Sequence, residues 1–140
     1  EHVQRSWKPI ALGRGFQVLL PWHEGPEGGA EGAGGRTVLR LEGGEAFGLG
    51  DHPTTQGATA FLERAVPRAA GSGAAPAVLD YGSGSGVLSI AAHCLGARAA
   101  LGVEVDPRSV AAATRNAALN PLRCGGAASA PEFRLGPESF

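Results

Sequence analysis

The feature that most constrains this chain is a run of three alternating glycines behind a short apolar segment. Gly82, Gly84 and Gly86 follow the apolar residues 77–79 and an acid, Asp80. Glycine has no Cβ, so a backbone built from it can turn sharply and approach a ligand closely. A turn between a strand and a helix needs only one or two glycines, so three favour a ligand-binding loop. Such a loop lies at the carboxyl end of a strand, where open α/β sheets bind their ligands.

Strand-like and helix-like segments alternate from residue 77 onward. We expect strands at 77–80, 100–105 and 133–135 and helices at 86–95 and 107–119. This order predicts an α/β fold with an open parallel sheet and right-handed crossovers. A further helix is expected to begin at Pro53, capped by Asp51 or His52, and to end before a linker at 67–76.

The region before this helix has a different character. Residues 17–22 read as a strand, and residues 37–41 alternate weakly between apolar and polar side chains. We expect these two strands to pair as a hairpin. The glycine- and glutamate-rich residues 24–35 between them are too polar to join a core and are expected to form a loop that tolerates insertion. The chain thus divides into residues 1–45, with the hairpin and the loop, and a ligand-binding α/β domain at 46–140.

Composition excludes several classes of protein. A hydrophobic fraction of 43% with 18% charged residues is too apolar for intrinsic disorder. The net charge of −1 predicts no direct binding to nucleic acid or to an anionic membrane. Cys94 and Cys124 are too isolated for a metal site or a disulfide framework. Because the chain has no methionine and begins with Glu1, we expect it to be a processed product or a segment of a longer polypeptide.

The glycine spacing distinguishes between classes of nucleotide site. A dinucleotide-binding GxGxxG loop would need a third glycine at position 87 or 89, which are Val87 and Ser89. A nicotinamide-binding protein is therefore disfavoured. The acid followed by GxGxG resembles the first motif of class I S-adenosylmethionine-dependent methyltransferases. Glu104, 22 residues after Gly82 and at the end of an apolar strand, is where such a protein holds the two ribose hydroxyls of the cofactor; the alternative is a surface carboxylate.

A second motif narrows the resemblance. Gly-Leu-Gly-Asp-His-Pro-Thr-Thr at 48–55, preceded by Ala46 and Phe47, is similar to a segment of PrmA-type ribosomal-protein methyltransferases. Residues 80–86 and 102–107 also resemble motifs of that family. Together these residues imply that S-adenosyl-L-methionine is bound by the set Thr54, Thr55, Asp80, Gly82, Gly84, Gly86 and Glu104. Thr54 and Thr55 would offer hydroxyls and N–H groups to the methionine carboxylate at a helix N-terminus, unless they only cap that helix.

The resemblance also implies an activity and a location. The family transfers methyl groups to lysine amino groups, and its protein partner is a large-subunit ribosomal protein; no metal is needed. A sister group modifies the electron-transfer flavoprotein β subunit, and an inactive cofactor-binding fragment is the third alternative. Such enzymes are cytoplasmic or organellar. No catalytic residue can be assigned.

The sequence departs from the family pattern at several positions. Glu104 stands in place of Asp, Ser83 in place of Cys and Asp51 in place of Thr. Family members continue to a fourth strand that closes the substrate site, whereas this sequence stops at Phe140. We therefore expect an incomplete Rossmann-like class I methyltransferase fold, comprising the cofactor-side half of the sheet and an N-terminal β-hairpin.

Overall fold

Two three-stranded sheets and three α-helices make up the part of the chain that the structure describes. The computed structural model describes residues 7–42, 48–121 and 130–137; Ala46, Phe47 and Cys124 lie outside these ranges. The elements are β1 (Ile10–Leu12), β2 (Phe16–Leu19), β3 (Thr37–Arg40), α1 (Pro53–Gly71), β4 (Ala77–Tyr81), α2 (Val87–Cys94), β5 (Ala99–Glu104), α3 (Pro107–Ala118) and β6 (Glu132–Leu135), with a short 3-10 turn at Ala33–Gly35. None of the helices in the described ranges is long and apolar enough to cross a lipid bilayer.

The C-terminal sheet confirms the predicted α/β class. Its strand order is β4-β5-β6, and both pairs are parallel. Helices α2 and α3 pack on one face of this sheet and touch each other. On the opposite face Leu79 and Tyr81 are 59% and 51% exposed. Because the strands are parallel, the ends of β4 and β5 meet at one edge, where the glycine loop follows β4.

The helix starts follow from local capping chemistry. At α1 the Nδ1 atom of His52 accepts a hydrogen bond from the N–H of Thr54, and Pro53 occupies the first helical position. At α3 the Asp106 carboxylate accepts from the N–H of Arg108 in the same way. These caps satisfy N–H groups that have no partner inside the helix. His52 rather than Asp51 is therefore the cap, one of the two predicted alternatives.

Helix α1 continues beyond its predicted end. The linker predicted at 67–76 begins only after Gly71, and Pro67 lies inside the helix. Leu62 and Val66 are buried just before it, in a cluster with Ala92 of α2. Proline removes one helical hydrogen bond, but Pro67 is exposed and the buried face that precedes it keeps the helix packed against α2.

The predicted pairing of the N-terminal strands is wrong in direction. β2 pairs with β3 in parallel, whereas the antiparallel hairpin is formed by β1 and β2. Parallel neighbours need a long crossover, and residues 20–36 provide it. The guanidinium of Arg40 holds this crossover by donating to the carbonyl oxygens of Leu20, His23, Gly25 and Pro26 at 2.8–3.3 Å.

The N-terminal sheet shares its core with the C-terminal region. Side chains of all three of its strands and of α2 form one buried cluster: Leu12, Phe16, Val18, Leu20, Leu39, Leu41, Val87, Ile90 and Ala91. Helix α2 is therefore packed between this cluster and the C-terminal sheet, and the glycine loop that precedes α2 is anchored from both sides.

Candidate functional site

The glycine loop is attached to the strand beside it. The N–H groups of Gly82 and Ser83 both donate to the carbonyl oxygen of Val103 on β5, at 2.8 and 3.1 Å. The N–H of Gly86 then donates to the carbonyl of Ser83 at 2.8 Å and closes the turn. Gly86 has φ 83°, in the left-handed region that glycine adopts without strain. The loop therefore leaves β4, turns over the end of β5 and enters α2 within a few residues.

Glu104 meets this loop at the end of β5. Its Oε2 atom accepts from the N–H of Gly84 at 2.9 Å, and its Oε1 atom accepts from the N–H of Val105 at 2.9 Å. A carboxylate has about four lone-pair positions, so each oxygen retains acceptor capacity after these bonds. The extra methylene of Glu, compared with Asp, lets the side chain turn back onto Gly84. Glu104 is thus a preoriented acceptor beside the glycine loop.

A second carboxylate lies at the end of β4. Ser89 of α2 donates its hydroxyl to Oδ2 of Asp80 at 3.0 Å. Burial raises the pKa of Asp80 above its ordinary value, hydrogen bonds from Ser89 lower it, and the nearby negative charge of Glu104 raises it further. The two acids therefore lie close enough to interact, as the adjacent strand ends predict.

Replacing Asp80 with Asn should change how stability depends on pH. The folded protein binds the Asp80 proton more tightly than the unfolded chain, whose pKa is near 3.8. Stability from the protonated form is lost as the pH rises through the raised folded pKa. Urea unfolding of wild type should show that this contribution declines from about pH 4 upward. Asp80→Asn should remove the decline because the amide of Asn does not titrate, while its oxygen can still accept the hydrogen bond from Ser89. Asp51→Asn, an exposed control, should keep it; an unchanged profile in Asp80→Asn would contradict the assignment.

The segment 48–55 forms the other part of the candidate site. The Ser85 hydroxyl donates to the carbonyl oxygen of Gly48 at 2.5 Å, which joins this segment to the glycine loop. Thr54 and Thr55 follow in the first turn of α1. The Thr54 hydroxyl contacts Nδ1 of His52 at 2.7 Å, whereas Thr55 is buried, 7% exposed. Six of the seven predicted site residues thus lie on two segments, 48–55 and 80–86, which meet at Gly48 and Ser85. The seventh, Glu104, lies at the end of β5 and is bonded to the glycine loop.

Two polar residues at this junction were missed by the sequence reasoning. Ser85 lies among the glycines, and Asn116 of α3 donates Nδ2 to the Ser85 carbonyl at 2.8 Å. A signal for Asn116 does exist, because it lies three residues after Ala113 on one face of α3, and Asn120 follows four residues later, just beyond the end of that helix. Asn116, Asn120 and Ala113 are all buried. Polar residues at otherwise apolar, buried positions indicate hydrogen-bond partners elsewhere in the chain, because buried polar side chains are hydrogen-bonded.

Ser83 occupies a position where the resembling family has Cys. Its hydroxyl is buried and has no hydrogen-bond partner within the described part of the chain. Gly102 and the ring of Phe133 are packed around it. An unpaired buried hydroxyl costs about 1–3 kcal/mol, whereas a buried thiol behaves as a small apolar group.

The Ser83→Cys variant should therefore be more stable than wild type, by about 1 kcal/mol. Thermal unfolding followed by circular dichroism measures this. Ser89→Cys is the matched control, because the Ser89 hydroxyl is bonded to Asp80 and its loss should lower the melting temperature. A lower melting temperature for Ser83→Cys would show that the hydroxyl is not the destabilising group.

Comparisons with known proteins indicate one family. The family model described as ribosomal protein L11 methyltransferase (PrmA) matches residues 1–131. The ribosomal protein L11 methyltransferases of Cupriavidus pinatubonensis and Thiobacillus denitrificans are each 40% identical, over 121 and 120 residues, or 86% of this chain. The crystal structure of ribosomal protein L11 methylase from Lactobacillus delbrueckii subsp. bulgaricus superposes with a TM-score of 0.68 at 32% identity and covers 91% of this chain.

The matched region covers most of this chain but only part of the length of each relative. The chain spans 37% and 36% of the two curated relatives, and 57% of the superposed crystal structure. The family model nevertheless covers almost the whole of this chain. This chain belongs to the ribosomal protein L11 methyltransferase (PrmA) family.

Proposed function

We propose that this chain carries the S-adenosyl-L-methionine site of a protein methyltransferase that acts on lysine amino groups of a large-subunit ribosomal protein. The observation that supports this most directly is the Glu104 carboxylate held beside the glycine loop at the ends of β4 and β5. The family name of the relatives supports both the reaction and the class of substrate.

The residues at this edge fit the cofactor. Glu104 has acceptor capacity left for the two ribose hydroxyls, and hydrogen bonds to a charged group contribute about 1.5–3 kcal/mol each. Gly82 is exposed, and no atom lies within 4 Å of the position that a Cβ would occupy there. The loop surface beside Glu104 is therefore open to a ligand.

The remaining candidate residues complement the charged end of the cofactor. Thr55 would bind the methionine carboxylate through its hydroxyl and its N–H group at the start of α1. The N–H of Thr54 already donates to Nδ1 of His52, which leaves Thr54 its hydroxyl. The Asp80 carboxylate, on the same sheet edge, would attract the positively charged part of the molecule. The cofactor supplies a methyl group on a positively charged sulfur.

In this proposal the protein accelerates methyl transfer mainly by holding the cofactor and the lysine amine in the correct relative position. The acceptor lysine must be neutral, yet only about one lysine in 10³ is neutral at pH 7. Desolvation of the entering amine lowers its pKa. The sheet edge formed by β4 and β5 would hold the cofactor still while the amine approaches the methyl carbon in line, and fixed orientation is itself a large part of such a rate enhancement.

Titration calorimetry with the chain tests the cofactor assignment. We expect binding of S-adenosyl-L-methionine and none of NAD. Glu104→Gln should weaken binding by about tenfold, because a charged acceptor is lost, and Gly84→Val should abolish it. Glu132→Gln is the matched control, since Glu132 is exposed on β6. Tight NAD binding, or full affinity in Glu104→Gln, would refute the site.

The activity needs a separate assay. Methyl transfer from labelled S-adenosyl-L-methionine should be measured with unmethylated ribosomal protein L11 and, in parallel, with the electron-transfer flavoprotein β subunit. Label in ribosomal protein L11 alone is the expected result. Cofactor binding without transfer to either protein would leave the chain as a cofactor-binding fragment and contradict the proposed activity.

A further inference from the structure

Asn116 connects the glycine loop to the N-terminal sheet. Its side chain is 1% exposed. Nδ2 donates to the carbonyl oxygen of Ser85 at 2.8 Å, and Oδ1 accepts from the N–H of Glu42 at 2.8 Å. Both ends of one amide are therefore bonded to backbone groups from distant parts of the chain, 31 and 74 residues away.

Ser85 extends this connection to the segment 48–55. The residue is fully buried, and its hydroxyl donates to the carbonyl of Gly48, 37 residues away. Asn116 and Ser85 together bind Glu42 and Gly48, the positions on either side of residues 43–47. Asn116 thus holds the end of the N-terminal sheet, Ser85 holds the start of the 48–55 segment, and the two residues are bonded to each other.

The other end of the segment is held by a different residue. Gln56 of α1 donates to the carbonyl oxygens of Gly50 and Ala11 at 2.6 and 2.7 Å, and it accepts from the N–H of Gly13 at 3.0 Å. Gln56 fixes the segment to the β1–β2 hairpin but makes none of these bonds with the glycine loop. The Ser85–Gly48 bond is the link that sets the segment against that loop.

We propose that Ser85 and Asn116 are positioning residues that set the spacing between the glycine loop and the Thr54–Thr55 turn, and so determine affinity for S-adenosyl-L-methionine without touching it. This rests on the proposed function for the identity of the ligand. Glu104 and the glycines bind one part of the cofactor and the threonines another. A ligand that bridges two segments binds well only when their separation matches its length.

Cofactor titration of four variants tests the proposal. Ser85→Ala and Asn116→Ala should each weaken binding of S-adenosyl-L-methionine by about tenfold. Neither residue touches the ligand, but a displaced Thr55 would lose one hydrogen bond to its charged carboxylate. Asn120→Ala is the matched control: Asn120 lies four residues after Asn116, just beyond the end of α3, and its side chain bonds the backbone of Arg40 rather than that of Ser85. Asn120→Ala should lose stability yet keep its affinity within about threefold. Ser85→Cys, with a weaker donor, should fall between wild type and Ser85→Ala.

A double-mutant cycle distinguishes positioning from general destabilisation. If Ser85 acts by placing Thr55, the penalty of Ser85→Ala should shrink to about twofold in a Thr55→Val background, because the contact of the Thr55 hydroxyl with the cofactor is already absent. Full additivity of the two penalties would overturn the proposal. So would equal affinity of Ser85→Ala and wild type.

A measurement without cofactor keeps this test independent of the proposed function. Backbone ¹⁵N order parameters of Leu49 and Gly50 should fall from about 0.85 toward 0.6 in Ser85→Ala and stay unchanged in Asn120→Ala. Unchanged values in Ser85→Ala would overturn the positioning role. If the wild-type chain binds no S-adenosyl-L-methionine while the order parameters fall as expected, the proposed function fails and the positioning role of Ser85 stands.

Discussion

Replacing Gly86 with alanine is expected to lower the free energy of unfolding by about 2–5 kcal/mol, with two separate causes. Gly86 has φ 83°, and holding a residue with a Cβ in the left-handed region costs about 1–2 kcal/mol. The new Cβ would also lie 2.7 Å from Cζ of Phe133 and 3.0 Å from Cβ of Ala113. Overpacking of this kind costs a further 1–3 kcal/mol or so.

Gly82→Ala separates the two causes. Gly82 has φ 72°, but no atom lies within 4 Å of the point where the alanine Cβ would stand, so only the backbone strain applies. Urea unfolding in the absence of cofactor should give a loss of about 1–2 kcal/mol for this variant. Equal losses in the two variants would show that Phe133 and Ala113 make room, and that the close approach of β6 and α3 to the loop contributes little.

The second large effect is expected for Asn120→Ala, which should lower the free energy of unfolding by about 2–4 kcal/mol. Oδ1 of Asn120 accepts from the N–H of Arg40 at 2.7 Å, and Nδ2 donates to the carbonyl of the same residue at 2.8 Å. Truncation leaves both backbone groups of Arg40 without these partners, and an unsatisfied buried polar group costs about 1–3 kcal/mol. The end of β3 would lose its attachment to the segment that follows α3.

Thr114→Ala is the control for this substitution. Thr114 lies on α3, which ends two residues before Asn120; it is exposed and donates its hydroxyl to the carbonyl of Val110 one turn earlier. Surface changes of this kind usually stay within about 0.5 kcal/mol. A loss in Asn120→Ala no larger than that of Thr114→Ala, measured by urea unfolding, would mean that water replaces the amide at Arg40.

The C-terminal half of the fold was predictable because its signals are local. Each of β4, β5 and α2 lies within a residue or two of its predicted bounds, since apolar runs and capping residues mark them. The N-terminal sheet was less predictable. Alternation along β2 and β3 indicates strands but carries no information on their relative direction, which depends on the crossover held by Arg40.

The candidate site likewise combines residues that local sequence signals mark and residues whose contacts depend on the fold. Asp80 and Glu104 could be selected because each ends an apolar strand, and parallel strand ends meet. The hydrogen bonds of Ser85 and Asn116 could not be predicted from the sequence, because their partners are backbone carbonyl and N–H groups that almost every residue possesses. The loop predicted at 24–35 also packs more closely than its composition indicates, because a Cβ at Gly28 would lie 2.5 Å from the carbonyl oxygen of Leu119.

The shared core of the N-terminal sheet and α2 has a thermodynamic consequence. Elements that bury one another's side chains tend to open together in hydrogen exchange rather than one at a time. A ligand that binds only the folded state adds about 2.7 kcal/mol of stability at a concentration of 100 times its dissociation constant. Because Phe16 and Leu39 share one cluster with Val87 and Ile90, that stabilisation would extend to amides of β2 and β3, far along the chain from the glycine loop.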